Sequence, residues 1–266
     1  MSDNTVPVKS ATDGDIWTPL RRLTTARIGL ERSGASLSTG PLLDLRLAHA
    51  RARDAVHANF NESQVAGELV SLGLPVLTVA SSATDKQDFL MRPDRGRMLQ
   101  HDSETILKSH ADTYDVVFVV SDGLSARAVQ THAAPVLAHV IPKLRAERWR
   151  LAPLVIVRHG RVAIGDCIAG LLRANCVAVL IGERPGLSAP DSMGAYVTWQ
   201  PTSHTTDADR NCISNIRPDG ISYADAGFKL AQLMNAMRTH QFSGVRLKDT
   251  YDRPSINGAP PPIDGP

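Results

Sequence analysis

Apolar residues along this chain form short continuous runs, and these runs alternate with stretches in which apolar residues recur at helical spacing. The runs are five or six residues long, are rich in β-branched residues and cover 75–80, 115–120, 153–157 and 177–181. Runs of this kind are typical of strands that are covered on both faces, as in a parallel sheet. A further strand is predicted over 196–199.

Helical patterns occupy the segments between these runs, over 103–111, 125–149 and 165–175. A terminal helix is predicted over 222–240, because Ser222 is a suitable capping residue and apolar residues then recur on one face. Strands that alternate with helices indicate βαβ units. We therefore predict an α/β fold built on a doubly wound, mostly parallel sheet of the Rossmann-like type.

The region before the first strand run has a different pattern. Ser38 and Pro41 mark a helix start, and Leu42, Leu45 and Ala48 begin a helical repeat. A second short helix ends near Gly73. We predict a flexible leader over 1–17, an N-terminal helical arm over 18–73, an α/β domain over 74–249 and a Pro/Gly-rich tail over 250–266. The arm either packs on the main body or contacts another subunit.

Composition excludes several classes of function. The chain has 266 residues, of which 42% are apolar and 21% charged, which is ordinary for a folded globular protein. A net charge of +2 is too small to indicate nucleic acid as a partner. The apolar runs fall short of the roughly 18 residues that a membrane span needs. The leader lacks the apolar core of a secretory signal.

The three cysteines, at 167, 176 and 212, have no CxxC spacing. This pattern disfavours both a disulfide scaffold and a zinc site and is typical of a reducing cytoplasm. The nine histidines are not clustered at metal-ligand spacing either. Glycine-rich dinucleotide and triphosphate motifs are absent, and 123–127 fails the nucleophile-elbow pattern because Arg127 stands at its last position.

Polar residues follow the predicted strands, where an open α/β sheet presents a ligand crevice. Asp122 and Ser125 either form a simple turn or cap a helix that faces a polar ligand. In 159–166, glycines at 160 and 165 leave the backbone of Val162 open to a ligand, unless the segment is a hairpin-like connection.

Two further candidates lie beyond the fourth run. Glu183 directly follows a buried strand, so its carboxylate needs either a ligand or a partner such as Arg184. Cys212 is predicted to lie in a loop among amide and hydroxyl side chains and is either a buried structural thiol or a ligand contact. The absence of a nucleophile–base pair predicts a binder of a large polar ligand. A free-standing enzyme for phosphorylated metabolites and a purely structural partner are the alternatives.

Five blocks in order, at 92–97, 120–128, 161–166, 181–188 and 210–218, together with the closing 243–249, resemble the small subunit of ethanolamine ammonia-lyase. The likeness runs from about residue 18 to residue 249. It implies an adenosylcobalamin-dependent lyase that converts ethanolamine to acetaldehyde and ammonia by a radical mechanism. In that family a large β/α-barrel subunit carries the substrate, and six large and six small subunits assemble.

The resemblance also implies that 74–249 is a cobalamin-binding domain at the interface with the large subunit. By that likeness Val162, Glu183 and Cys212 contact the cofactor, and no residue of this chain is catalytic. The Asp-x-His-x-x-Gly motif that supplies a cobalt ligand is absent, since 54–57 has one residue too many. We therefore expect no residue here to bind cobalt. The short polar leader leaves open both free cytoplasmic residence and location inside a bacterial ethanolamine-utilisation microcompartment.

Overall fold

The computed structural model describes residues 17–247. The predicted leader, except for Trp17, and the whole of the predicted tail at 250–266 lie outside the described residues. Within 17–247, no helix is long and apolar enough to cross a membrane.

The N-terminal region is mostly helical, as predicted, and also contains a small hairpin. Its elements are α1 (Trp17–Arg21), β1 (Arg32–Ser33), β2 (Ser36–Leu37), α2 (Thr39–His57) and α3 (Glu62–Val70). In α3, Val65 and Leu69 are buried in the main core. By contrast, α2 buries only Ala48 and Ala55. The helix α3 is therefore part of the main body, whereas α2 lies on its surface.

A six-stranded sheet forms the centre of the molecule. Its strands are β3 (Val76–Ala80), β4 (Tyr114–Ser121), β5 (Leu154–Arg158), β6 (Ala174–Gly182), β7 (Met193–Trp199) and β8 (Asn211–Ile216). The spatial order is β3-β5-β4-β6-β7-β8. The first four strands are parallel, while β7 is antiparallel to both of its neighbours. The predicted mostly parallel sheet is confirmed, and β8 is an additional edge strand.

Helices cover both faces of this sheet. They are α4 (Lys86–Met91), α5 (His101–Ser109), α6 (Ala126–Ala146), α7 (Ile164–Leu172) and α8 (Tyr223–His240). Short 3₁₀ turns occur at Arg95–Arg97, Asp207–Asp209 and Gly244–Arg246. The sequence did not predict α4, because its six residues are too few for a helical repeat to show.

Alternate residues of β4 belong to two separate cores. Val116, Phe118 and Val120 pack in the core that contains α6. Val117 and Val119 pack in the core that contains α7. Both faces of the strand are thus buried, and each fully buried side chain of this size contributes about 1.5–3 kcal/mol. This two-sided burial explains why the strand reads as a continuous apolar run.

Candidate ligand-binding cleft

A cleft of about 460 Å³ opens at the carboxyl ends of the parallel strands. Its lining comes from the end of β6 and from the segments that follow β4, β5 and β6, namely Gly123, Leu124, Arg161, Val162, Ile181, Gly182, Glu183 and Arg184, with Tyr196 from β7. The neighbouring strands β4 and β5 lead into helices on opposite faces of the sheet. Such a reversal is where open α/β sheets bind ligands.

A buried carboxylate ties two of these segments together. Asp122 is 1% exposed and accepts hydrogen bonds from the His159 backbone N–H, at 2.7 Å, and from its Nδ1, at 3.1 Å. Lys86 Nζ lies 3.9 Å from the same carboxylate and donates to the Gly123 carbonyl at 2.8 Å. Burial lowers the pKa of Lys86, although the Asp122 charge opposes this. Asp122 therefore links the segment after β4 to the segment after β5. The residue that caps α6 is Ser125.

Two glycines allow the turn after β4 to contact the end of β6. A Cβ at Gly182 would overlap the Ser125 carbonyl oxygen and lie 2.6 Å from the Asp122 carbonyl oxygen. Gly123 has a φ of +53°, in the left-handed region that favours glycine. The wall of the cleft thus depends on backbone-to-backbone packing that no larger residue permits.

Val162 is half-buried and lines the cleft just before α7. Its carbonyl accepts a hydrogen bond from the Gly165 N–H at 3.1 Å, so the segment is a turn leading into a helix and not a hairpin. Within residues 17–247, the backbone N–H groups of Val162 and Ala163 have no acceptor. Among the described residues the Val162 N–H is therefore open and its carbonyl is engaged in the turn, while the ligand contact at Val162 stays a prediction.

Arg161 is the residue on this wall to which the sequence assigned no role. Its guanidinium lies 4.0 Å above the centre of the Phe89 ring, and Nη2 donates to the Phe89 carbonyl at 2.9 Å. The Nε atom is buried and has no partner among the described residues. Burial lowers the pKa of Arg161, and the charges of Arg97 and Arg184 lower it further. No periodicity reveals such contacts, because Phe89 is 72 residues away.

Glu183 joins the end of β6 to β8. Its carboxylate accepts hydrogen bonds from the Ser214 hydroxyl and, at 3.2 Å, from the Asn215 backbone N–H. The alternative of an ion pair with Arg184 is wrong: among the described residues Glu183 has no such pair, and Arg184 is exposed on the cleft.

Cys212 requires a correction, because it lies within strand β8 and not in a loop. It faces Tyr196 across the β7–β8 pairing, and only Tyr196 lines the cleft. Burial raises the pKa of both side chains. The residue is exposed, so the alternative of a buried structural thiol is also wrong. The sequence missed this strand because β8 alternates poorly between buried and exposed positions.

Comparison with known proteins identifies the family to which this chain belongs. The family model described as Ethanolamine ammonia-lyase light chain (EutC) matches residues 14–248. The chain belongs to the ethanolamine ammonia-lyase light-chain family. Its resemblance to that family, carried by the five sequence blocks, is therefore confirmed.

Three relatives bear the name ethanolamine ammonia-lyase small subunit. The Pseudomonas paraeruginosa protein is 48% identical over 265 residues, which cover 98% of this chain and 96% of the relative. The Azotobacter vinelandii protein is 49% identical over 247 residues, covering 91% and 92%. The Ralstonia nicotianae protein is 48% identical over 244 residues, covering 90% of each.

In this light-chain family member, the structure brings the three sequence-predicted site residues to one region. Val162 and Glu183 line the cleft, and Cys212 lies one strand behind Tyr196. Across residues 17–247, no group of three or more His, Cys, Asp or Glu side chains is arranged to hold a metal ion. The donors that the cleft offers are backbone amides, guanidinium groups and a tyrosine hydroxyl.

Proposed function

We propose that this chain is the small subunit of an adenosylcobalamin-dependent ethanolamine ammonia-lyase and forms part of the cobalamin site at the interface with the large subunit. The reaction is the radical conversion of ethanolamine to acetaldehyde and ammonia. One observation carries the proposal. The family resemblance assigns Val162, Glu183 and Cys212 to the cofactor; Val162 and Glu183 line one cleft from two separate segments, and Cys212 lies opposite Tyr196 of the same cleft on the neighbouring strand.

The donors and the shape of the cleft fit such a ligand. Cobalamin is wide and rimmed by amide groups, so it needs scattered polar contacts and apolar surface. The cleft offers the free Val162 N–H and the Glu183 carboxylate, beside the apolar side chains of Leu124 and Ile181. A volume of about 460 Å³ lies within the usual range for drug-sized ligands. A corrinoid is much larger, so a second chain must cover the rest.

The proposed contribution of this chain is to bind and orient the cofactor. Adenosylcobalamin, when bound, supplies the radical chemistry. The Val162 N–H donates to an oxygen atom of the cofactor, the Glu183 carboxylate accepts from an amide, and Tyr196 and Leu124 exclude water from the covered side. The large subunit supplies the substrate site, in an assembly of six large and six small subunits. The assembly is proposed to act in the cytoplasm, free or encapsulated.

Titration of separated and joined subunits tests this division of labour. Co-expression with a large subunit, followed by spectroscopic titration with adenosylcobalamin, should show tight binding only by the joined chains. Ethanolamine turnover should likewise require both. Turnover by the isolated chain, or a joined complex that does not bind the corrinoid, would overturn the proposal.

A matched pair of variants tests the contact at Glu183. Glu183→Ala should weaken adenosylcobalamin binding by about tenfold, the effect of one hydrogen bond to a charged group. Glu68→Ala is the control, because Glu68 is exposed on α3 and its carboxylate bonds only its helix neighbour Gln64 among the described residues. Sedimentation should show intact assembly for both. Unchanged affinity in an assembled Glu183→Ala complex would instead favour a purely structural role for this residue.

A further inference from the structure

The cleft carries positive charge that the chain itself does not neutralise. Arg161 and Arg184 both line it, and Arg97 directly follows Gly96, whose carbonyl accepts a hydrogen bond from the Arg161 N–H at 2.7 Å. Within residues 17–247, none of these three arginines pairs with a carboxylate. The charges of Arg97 and Arg184 both act on Arg161, so the three guanidinium groups lie near one another, and the single Asp122 charge offsets only part of theirs.

Two carboxylates of the same region, Asp122 and Glu183, are already engaged. Asp122 accepts both hydrogen bonds from His159 and faces Lys86 at 3.9 Å. Glu183 is turned towards Ser214 and Asn215. Neither carboxylate therefore forms an ion pair with an arginine of the cleft. Like charges held together cost free energy, and a bound anion would remove that cost.

The arginine on the wall is held in place, so its donors are preorganised. The Phe89 ring lies under the guanidinium of Arg161, and the Phe89 carbonyl holds Nη2. Gly96 packs closely against the aliphatic part of the Arg161 side chain and restricts its movement, since a Cβ at Gly96 would lie 2.8 Å from the Arg161 Cγ. The Nη1 donors have no partner among the described residues. A planar guanidinium held in this way suits two-pronged recognition of phosphate oxygens.

Backbone donors lie beside this guanidinium. The unpaired N–H groups of Val162 and Ala163 stand at the amino end of the nine-residue helix α7. A helix amino terminus carries a partial positive charge that favours anions. The Arg161 guanidinium and these backbone N–H groups thus provide hydrogen-bond donors at the same wall of the cleft.

We propose that Arg161, Arg184 and the Val162 N–H form an anion subsite that takes a phosphodiester group of the bound ligand. The inference rests on the proposed cobalamin function. The peripheral side chains of cobalamin end in neutral amides, and its anionic group is the phosphodiester that links the nucleotide to the corrin ring. The subsite therefore places the nucleotide side of the cofactor on this chain.

The test compares two corrinoids on the assembled complex with the large subunit. Adenosylcobalamin carries the phosphodiester, and adenosylcobinamide lacks both it and the nucleotide. Arg184→Gln should weaken adenosylcobalamin binding by about tenfold, while adenosylcobinamide binding changes by less than about twofold. Arg184→Lys should recover much of the loss because it keeps the charge. Arg161→Gln should follow the same pattern with a larger effect, because that guanidinium is preorganised.

Arg150→Gln is the matched control, because Arg150 is paired with Asp112 near the start of β4, at the opposite edge of the sheet. It should change the affinity for neither corrinoid. If Arg184→Gln and Arg161→Gln leave adenosylcobalamin affinity unchanged, or weaken both corrinoids equally, the anion subsite is wrong and the cobalamin function stands. If the wild-type complex binds neither corrinoid, the proposed function itself fails and the subsite with it. Arg184 is exposed, so its variants test the subsite even if Arg161→Gln does not fold.

Discussion

The guanidinium of Arg210 donates two hydrogen bonds of 2.7 Å to the carboxylate of Asp166, and the two side chains are only 3% and 9% exposed. Arg210 immediately precedes β8, and Asp166 lies in the first turn of α7. The pair therefore connects the strand that carries Cys212 to the helix that begins beside Val162. One buried ion pair therefore fixes the segment of Cys212 relative to the segment that follows Val162.

Removing one partner of this pair should strongly destabilise the protein. Asp166→Ala removes the buried carboxylate and leaves the Arg210 charge with only the exposed Asp207 carboxylate, at 3.5 Å, so the free energy of unfolding should fall by about 3–5 kcal/mol. Asp112→Ala is the control, since Asp112 is 61% exposed in its pair with Arg150 and should have a far smaller effect. Urea denaturation measures both. Equal effects of the two substitutions would contradict the structural role given to Arg210.

Two glycine substitutions should change stability in opposite directions. Gly182→Ala places a methyl group against the Ser125 and Asp122 carbonyl oxygens, so it should destabilise the protein by about 1–3 kcal/mol or more. Gly170→Ala, in the last turn of α7, meets nothing within 4 Å and should stabilise by up to about 1 kcal/mol through helix propensity. Thermal unfolding of both variants checks this. A well-folded Gly182→Ala protein with wild-type stability would refute the close packing of β6 against the β4–α6 turn.

His132 should make the stability of the chain sensitive to mild acid. It is 2% exposed, with Nδ1 at 2.8 Å from the Tyr223 hydroxyl and Nε2 at 2.9 Å from the Asp191 carbonyl. Burial lowers its pKa below the ordinary 6.5, although the Asp191 carbonyl opposes this. The unfolded chain therefore binds a proton at higher pH than the folded chain. Stability is fully present above pH 6.5 and falls as the pH drops from there towards the folded pKa.

Urea midpoints measured from about pH 7.5 down to about pH 5 should show this loss in the wild type. In His132→Gln the pH dependence should be flatter, because the buried imidazole is gone. His49→Gln, at an exposed position of α2, should keep the wild-type slope. An identical slope in all three proteins would show that other groups cause the acid sensitivity.

The three cysteines should differ in their rates of reaction with a maleimide. Cys167 and Cys212 are exposed, whereas Cys176 is fully buried, and burial raises the pKa of all three thiols. A maleimide should therefore label two thiols slowly in the folded chain and the third only after unfolding. Mass spectrometry of digested protein identifies the labelled sites.

The same labelling reports on the proposed cofactor site. In the complex with the large subunit, adenosylcobalamin should slow labelling of Cys212 and leave the rate at Cys167 unchanged. A Cys167→Ser variant simplifies the measurement without touching the cleft. Cys167 lies on α7 outside the cleft, so protection of Cys167 alone would place the ligand elsewhere and contradict the proposal.

The sequence by itself determined the layered part of the fold. Strands β3 to β6 are buried on both faces, so they appear in the sequence as continuous apolar runs. Helices α5 to α8 are buried on one face, so their apolar residues recur at helical spacing. The sequence also placed polar residues after each parallel strand. Since parallel strands end at one edge, Val162 and Glu183 could be assigned to the same region before any coordinates.

Only the tertiary structure decided which groups meet. Glu183 bonds Ser214, 31 residues away, and not its neighbour Arg184. Arg161 contacts Phe89, which is 72 residues away. Strand β8 was missed because an edge strand with mixed burial carries no clear period, so Cys212 was placed in a loop. Such pairings depend on the spatial order of the strands. Local patterns record which face of an element is buried, but they contain no information about which distant side chain lies opposite.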